Sequence, residues 1–336
     1  MSATDAGAPV RIGMLGTSTV ATYALIAPAR LVDAVTVASV GSRDPARARG
    51  YAETHGIPGS GSYEDVLADP SLDAIYVGLP NNLHAEWSLR ALRAGKAVLC
   101  EKPLASNADE AAGLVAEARK IGQPFVEAFH WRCHPVAERL RRLVAEGEIG
   151  AVRQIEGRFS YPRSNMLPDD FRLDYGRGGG VLMDAGCYVV NLLRMLLGDP
   201  IGLSAVKAAL EGSEIDVEID AELAFAGGVS GRVIATNSGT EFDIVTVITG
   251  AAGTATVHNA FLTDFGCRID FEVGGRRWSE DLGDTPTYVF QAAHFADVVR
   301  GRAAALTTVE DAVANLAVVD MIYRGAGLHP RGLDLS

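Results

Sequence analysis

Cysteine is scarce in this chain. The four present, Cys100, Cys133, Cys187 and Cys267, form no close pair and no metal-ligand spacing, which argues against a disulfide scaffold and for a cytoplasmic protein with free thiols. Basic charge is also in short supply: 30 Lys and Arg stand against 42 Asp and Glu, a net charge of −12 with a pI near 5.1. A phosphate-backbone binder carries a basic face, so nucleic acid is not an expected partner, and the acidity serves solubility. Long hydrophobic runs are missing too. The nearest, residues 244–263, is rich in threonine and broken by Gly250, Gly253, His258 and Asn259, so it reads as strands and no membrane contact is expected. Residues 1–9 lack the basic region and apolar core of a secretory signal. Outside the motifs below, His55, His130, His134, His258, His294 and His329 show no metal spacing, and no metal site is expected. There is no internal repeat and no low-complexity segment.

What is present suits two ordinary domains: 336 residues, 48% hydrophobic and 21% charged. The first third alternates apolar strands (10–15, 35–40, 74–79, 97–100, 124–128) with helical stretches (19–31, 45–55, 84–94, 109–121). Buried strands separated by helices of about three turns predict a parallel, doubly wound sheet. From about Ala151 the rhythm changes to strands (152–161, 216–225, 229–237, 242–248, 254–258, 267–273) with helices at 180–197, 288–300 and 309–324. The expected fold is therefore α/β: an N-terminal Rossmann dinucleotide-binding domain, residues 9–130, and a C-terminal α+β domain with a large, mostly antiparallel open sheet, residues 131–336. The break is placed between Phe125 and Pro135, where the segment from Trp131 to Pro135 interrupts the alternation.

Between the first strand and helix lies Gly13-Met14-Leu15-Gly16-Thr17-Ser18-Thr19-Val20-Ala21, where a dinucleotide fingerprint belongs. Gly16 supplies the tight turn and Ala21 allows close helix–strand packing. A pyrophosphate would rest on the helix N-terminus formed by Thr17, Ser18, Thr19 and Val20; Ser18 replaces the usual middle glycine. Cofactor choice is read at the end of the second strand. There the chain has Ser42-Arg43-Asp44 with Arg47 a turn later. Ser42 can donate a hydrogen bond, and Arg43 can stack on adenine and pair with a 2′-phosphate. NADP(H) is favoured, and Asp44 keeps NAD possible.

The strand at 97–100 runs into Glu101-Lys102-Pro103. In open α/β sheets ligands bind beyond the carboxyl ends of strands, which is where Lys102 falls. Further on, Gly178-Gly179-Gly180 opens a helix on which Asp184 and Tyr188 share one face at i, i+4. Read alone, Asp184 is a carboxylate in need of a partner such as Arg172, and Tyr188 is core.

Together these residues resemble the glucose–fructose oxidoreductase / inositol dehydrogenase family. The likeness covers nearly the whole chain: the glycine turn, Pro80-Asn81-Asn82-Leu83-His84, Glu101-Lys102-Pro103, Gly147-Glu148-Ile149-Gly150, and the glycine-rich run through Tyr188 to Arg194 and Gly198. The resemblance implies Lys102 near the nicotinamide and the reacting oxygen, Tyr188 as proton donor and acceptor, and Asp184 as orienter. It has Pro80, Asn81, His84 and Glu101 lining the nicotinamide half of the cofactor site. Inositol-type members usually carry histidine at the Tyr188 position, so the chain looks more like the dihydrodiol, xylose and sugar-ketoreductase branches. The chemistry is coherent: a tyrosine is too weak an acid to serve as base at neutral pH unless a nearby ammonium such as Lys102 lowers its pKa. The expected activity is NAD(P)-dependent hydride exchange with a carbinol or carbonyl carbon of a sugar, polyol, cyclic diol or nucleotide-linked keto sugar. The alternatives are a glycosidase of the same family and a non-catalytic cofactor-binding regulator. Substrate contacts are expected from the loop 161–178, with Arg163, Asn165, Asp169, Asp170 and Arg172, and copies of the chain are expected to pair as dimers or tetramers through the C-terminal sheet.

Overall fold

In the computed structural model, which describes residues 7–166, 169–212 and 214–332, the central strand of the first sheet is β1, Val10–Leu15. Its Ile12, Met14 and Leu15 are at most 1% exposed, because helices cover both faces of a parallel sheet and leave no side for polar residues. Around it lie β2 (Val35–Gly41), β3 (Gly59–Gly61), β4 (Ala74–Val77), β5 (Ala97–Cys100) and β6 (Phe125–Glu127) in the order β3-β2-β1-β4-β5-β6. Every pairing is parallel. The chain builds outward from β1 to β3 and then crosses to β4 on the other side. The carboxyl ends of β1 and β4 therefore diverge into a crevice, the topological switch point.

Two elements of this unit are absent from the sequence reading. Strand β3 is Gly59-Ser60-Gly61, which offers no apolar pattern and pairs with β2 through backbone groups alone. Helix Tyr63–Ala68 is short, but its start carries a capping box: Ser62 Oγ accepts from Asp65 N at 3.1 Å, and the Asp65 carboxylate accepts from Ser62 N at 2.9 Å.

Compactness does not follow chain order. One unit comprises residues Met1–Ala105, Asp109–Cys133 and Tyr288–Ala312; the other comprises Ser106–Ala108, His134–Thr287 and Val313–Ser336. Residues 288–312 thus group with the parallel sheet rather than with their chain neighbours. The cause is apolar: Ala292, Phe295 and Ala296 of helix Thr287–Val299 join the cluster built on Val10, Ile12, Met14 and Val40.

The second unit contains β7 (Val152–Pro162), β8 (Gly202–Glu211), β9 (Ile215–Ala224), β10 (Ser230–Gly250), β11 (Gly253–His258), β12 (Cys267–Val273) and β13 (Arg276–Gly283). They form one sheet in the order β13-β12-β11-β10-β9-β8, with β7 paired to β10. Both arms of the long β10 flank β7: Ile234 and Val245 each lie opposite Arg158. Strand β8 escapes the sequence reading because no residue in it is buried. Helix Pro135–Ala145, also unforeseen, starts on a proline and buries Val136, Ala137, Leu140 and Leu143. Against the sheet lies the helical segment Tyr175–Leu197, interrupted at Gly178 and Gly180, whose φ angles are +78° and +119°; it is long and apolar enough to cross a bilayer, yet 78% of its apolar stretch is buried inside the fold. It approaches β7 at Gly157, where a Cβ would come 2.5 Å from Val189 Cγ1.

Truncating Phe295, which is 1% exposed, to alanine should cost about 3–5 kcal/mol. Urea unfolding followed by a probe in the first unit, although Phe295 lies far along the chain, should report that loss.

Candidate functional site

At the carboxyl end of β1 the chain turns on Gly16, whose φ is +100°. Its N–H donates to Gly41 O at 3.0 Å, while Gly78 N–H donates to Leu15 O at 3.1 Å. A Cβ at Gly16 would lie 2.6 Å from the Gly78 carbonyl oxygen, so both backbone angle and space demand glycine. The turn delivers the chain to helix Thr19–Ala29, capped by Ser18, whose Oγ accepts from Ala21 N at 3.2 Å. Tyr51 OH donates to Ser18 O at 3.0 Å and fixes the turn from the next helix. Thr17, Ser18 and Val20 are part-exposed and Thr19 is exposed, so this helix terminus, where an anion would be favoured, is open to solvent. Ser18 in place of glycine is here the helix cap.

At the end of β2, Ser42 is buried, donating its N–H to Gly61 O, and its Oγ accepts from Asp44 N at 3.3 Å. Asp44 caps helix Pro45–His55, its Oδ1 accepting from Ala46 N at 2.9 Å. Arg43 and Arg47 are exposed, and both charges reach one place: burial raises the pKa of the Tyr63 hydroxyl, and these two guanidinium groups pull it back. The turn, the open helix terminus and this pair of cations fit a dinucleotide with an added phosphate.

Beyond β5, Glu101 is 8% exposed and its Oε1 accepts from the buried Tyr76 OH at 2.7 Å. Lys102 is part-exposed, and the Lys102–Pro103 bond is cis. Pro80 is part-exposed and Asn81 buried at the mouth of the neighbouring strand. His84, expected to line the cofactor site, is wholly buried. Its Nδ1 and Nε2 each stand 2.7 Å from a carbonyl oxygen, of Pro103 and Leu79. The ring therefore ties the β4 loop to the residue after Lys102, which is a positioning role. Burial lowers its pKa; the two carbonyls oppose that and the Lys102 charge adds to it. His130 is also wholly buried, stacked on Tyr288 at 3.8 Å, and burial with the Lys102 charge holds its pKa well below the usual value. The Lys102 charge is thus felt at both imidazoles. Tyr76 and Tyr288 were not singled out in the sequence; nothing local marks them, because strand pairing and the returning helix bring them here.

In the second unit Asp184 lies in a widened turn, Leu182–Gly186, at the start of helix Cys187–Leu197. Arg172 Nε reaches Asp184 Oδ2 at 2.9 Å, and Arg172 Nη1 reaches Asp170 at 3.1 Å. Asp184 is thus both paired and placed. Tyr188, 5% exposed, packs among Phe159 (5.6 Å) and Phe261 (5.4 Å). A second tyrosine, Tyr161, was read only as the start of the substrate loop. Burial and the Asp184 charge raise its pKa, and the Arg172 guanidinium opposes them. Arg163 pairs with Glu211, and Arg177 donates to Asp169 O at 3.3 Å; the side chain of Asn165 lies outside what is described. Lys102 belongs to the first unit, Asp184 and Tyr188 to the second. Among the described residues no three His, Cys, Asp or Glu side chains gather as metal ligands.

The oxidoreductase family with an NAD-binding Rossmann fold matches residues 10–129, and the GFO/IDH/MocA C-terminal domain matches residues 137–256. D-xylose 1-dehydrogenase (NADP(+)) 2 of Haloferax volcanii is 35% identical over 320 residues, spanning 94% of this chain and 96% of that protein. The chain belongs to the GFO/IDH/MocA family of NAD(P)-dependent oxidoreductases. Within the family, the trans-1,2-dihydrobenzene-1,2-diol dehydrogenase of Oryctolagus cuniculus is 39% identical over 198 residues, 58% of this chain and 59% of that one. A 3-ketoreductase from Actinomadura kijaniata, solved with NADP and TDP-benzene, superposes with a TM-score of 0.86 at 27% identity, covering 94% of this chain and 98% of that chain. An aldose-aldose oxidoreductase from Caulobacter crescentus, complexed with glycerol, gives 0.85 at 25% identity, covering 95% and 98%.

Gly16→Ala should destabilise the protein by about 1–3 kcal/mol and weaken dinucleotide binding, because the obstacle is a backbone carbonyl that no rotamer change removes. Urea unfolding and fluorescence titration of NADPH check both effects.

Proposed function

We propose that this protein is an NADP-dependent dehydrogenase or reductase that exchanges a hydride with the carbinol or carbonyl carbon of a neutral sugar, polyol or cyclic diol. The pairing of its cations carries the substrate class. Arg163 and Arg172 are bonded to carboxylates and Arg177 donates to a backbone carbonyl, so two of the three guanidinium groups between residues 161 and 178 already face an anion. A nucleotide-linked sugar would bring two negative charges to a region whose anions already match its cations. Neutral hydroxyl groups suit the carboxylates and phenols that are there.

In this reading Gly16, Thr17, Ser18, Thr19 and Val20 hold the pyrophosphate, and Ser42, Arg43 and Arg47 hold the 2′-phosphate. Asp44 Oδ1 serves as a helix cap, and the two cations beside it favour NADP over NAD. Pro80, Asn81, Glu101 and Lys102 border the nicotinamide, with His84 behind them. The bound nicotinamide supplies the hydride donor or acceptor. Tyr188 exchanges the proton with the reacting oxygen, Lys102 supplies the positive charge that favours its phenolate and polarises a carbonyl, and Asp184, held by Arg172, orients the hydroxyl groups. The outer strands of the second sheet carry a stacked Phe271–Trp278 pair, with Trp278 39% exposed, which supports pairing of copies through this sheet; light scattering decides between dimer and tetramer.

Steady-state assays with aldoses, polyols and cyclic diols test the proposal. Tyr188→Phe and Lys102→Met should each lower kcat/KM by about 10²–10⁴-fold while still binding NADPH; near wild-type turnover in both would remove the assignment. Arg43→Ala combined with Arg47→Ala should weaken NADPH binding by about 10–100-fold and leave NADH binding nearly unchanged. Glycoside cleavage without net change in nicotinamide absorbance would point to the glycosidase branch instead.

A further inference from the structure

A second polar cluster of the second unit lies outside the residues assigned so far. Asp216 on β9 and Arg331 are both 0% exposed and form an ion pair through Asp216 Oδ1 and Arg331 Nη2. Isolated charges are not buried at such depth, and here further hydrogen bonds hold both partners. Tyr323 OH donates to Asp216 Oδ1 at 3.0 Å, and Leu182 N–H donates to Asp216 Oδ2 at 2.7 Å. Arg331 Nε donates to Gly179 O at 2.6 Å, and its guanidinium lies between the rings of Tyr323 and Tyr175, 4.2 and 4.9 Å from their centroids. Asn107 Nδ2 holds Arg331 O at 2.7 Å, and Tyr175 OH holds Pro330 O at 2.9 Å.

Two of these contacts fall on the segment that leads into Asp184 and Tyr188. Leu182 N–H is one of the donors that a helix leaves unpaired in its first turn, so Asp216 caps this helix from a neighbouring strand. Gly179 O is the carbonyl just before it. Gly180, at φ +119°, has no room for a side chain, because a Cβ there would sit on the Asp216 carboxylate. The glycine run is therefore shaped to let an ion pair close on the backbone.

We propose that the Asp216–Arg331 pair is a positioning latch that fixes the helix start carrying Asp184 and Tyr188, and that its fork geometry is required for turnover. This rests on the reading of Tyr188 as the proton-exchanging group. A lysine at 331 would keep a positive charge for Asp216, but it has no planar fork to hold Gly179 O and Asp216 at once.

The experiment is Arg331→Lys, with Tyr323→Phe as a milder second variant that retains the ion pair. NADPH-binding sites are counted by fluorescence titration so that kcat is expressed per competent site, and amide hydrogen exchange across residues 180–188 is read in the same preparations. The latch predicts faster exchange in 180–188 for Arg331→Lys and a fall in kcat per site of about 100-fold, the cost of a displacement near 1 Å, with KM and NADPH affinity little changed. Tyr323→Phe should move both readouts the same way by less, and it carries the test alone if Arg331→Lys does not fold. Unchanged exchange in 180–188 overturns the latch whatever the turnover. Faster exchange with wild-type kcat per site also overturns it, leaving the pair a purely structural one. A wild-type protein that binds NADPH but turns over no neutral carbonyl or alcohol overturns the functional reading instead, and exchange alone then decides the latch.

Discussion

The pairing of Arg172 with Asp184 and Asp170 is the interaction from which the chemistry of the second unit follows. Its three side chains are 12–20% exposed, a setting where an unpaired charge is costly and a bidentate guanidinium is well suited to prevent one. The pair holds Asp184 in place and occupies the Arg172 guanidinium. It also separates two tyrosines. Tyr161 lies in the field of Asp184, and burial together with that charge raises its pKa. Tyr188 packs against the rings of Phe159 and Phe261, and is the phenol proposed to carry the proton.

The first unit reaches its function by a different constraint, the order of its strands. Only at the switch between β1 and β4 do two loops leave the sheet in opposite directions, and both depend on close backbone approach there: Gly16 against Gly78, and His84 between two carbonyls. Around Lys102, burial and the ammonium charge both lower the pKa of His84 and His130. Asp44 shows how a residue that suggests one cofactor in the sequence serves another purpose in the fold, as a helix cap.

Legibility in the sequence followed the range of the interaction. Apolar runs such as 10–15 and 97–100 were readable as strands because burial on both faces needs nothing but local composition. Gly16 was readable as a turn because it sits in a motif a few residues long, and Lys102, Asp184 and Tyr188 are singled out by motifs of the same short range. Strand β3 was invisible because Gly59-Ser60-Gly61 pairs through backbone only, and β8 because it buries nothing. The helix Thr287–Val299 was readable as a helix but not as part of the parallel-sheet unit, a matter of which core its phenylalanine enters. The Asp216–Arg331 pair joins residues 115 positions apart, and the reason for Gly180 was hidden with it.

The most direct measurement of the account is the pH dependence of kcat/KM for oxidation of a neutral substrate with NADP+, in the wild-type protein, Tyr161→Phe and Tyr188→Phe. The account predicts that the wild-type rate rises with pH through one ionisation to a plateau, as a phenol becomes a base. Tyr161→Phe keeps that inflection and Tyr188→Phe loses it, along with most of the rate. An inflection that survives in Tyr188→Phe, or vanishes in Tyr161→Phe, would contradict the central claim that Tyr188 exchanges the proton.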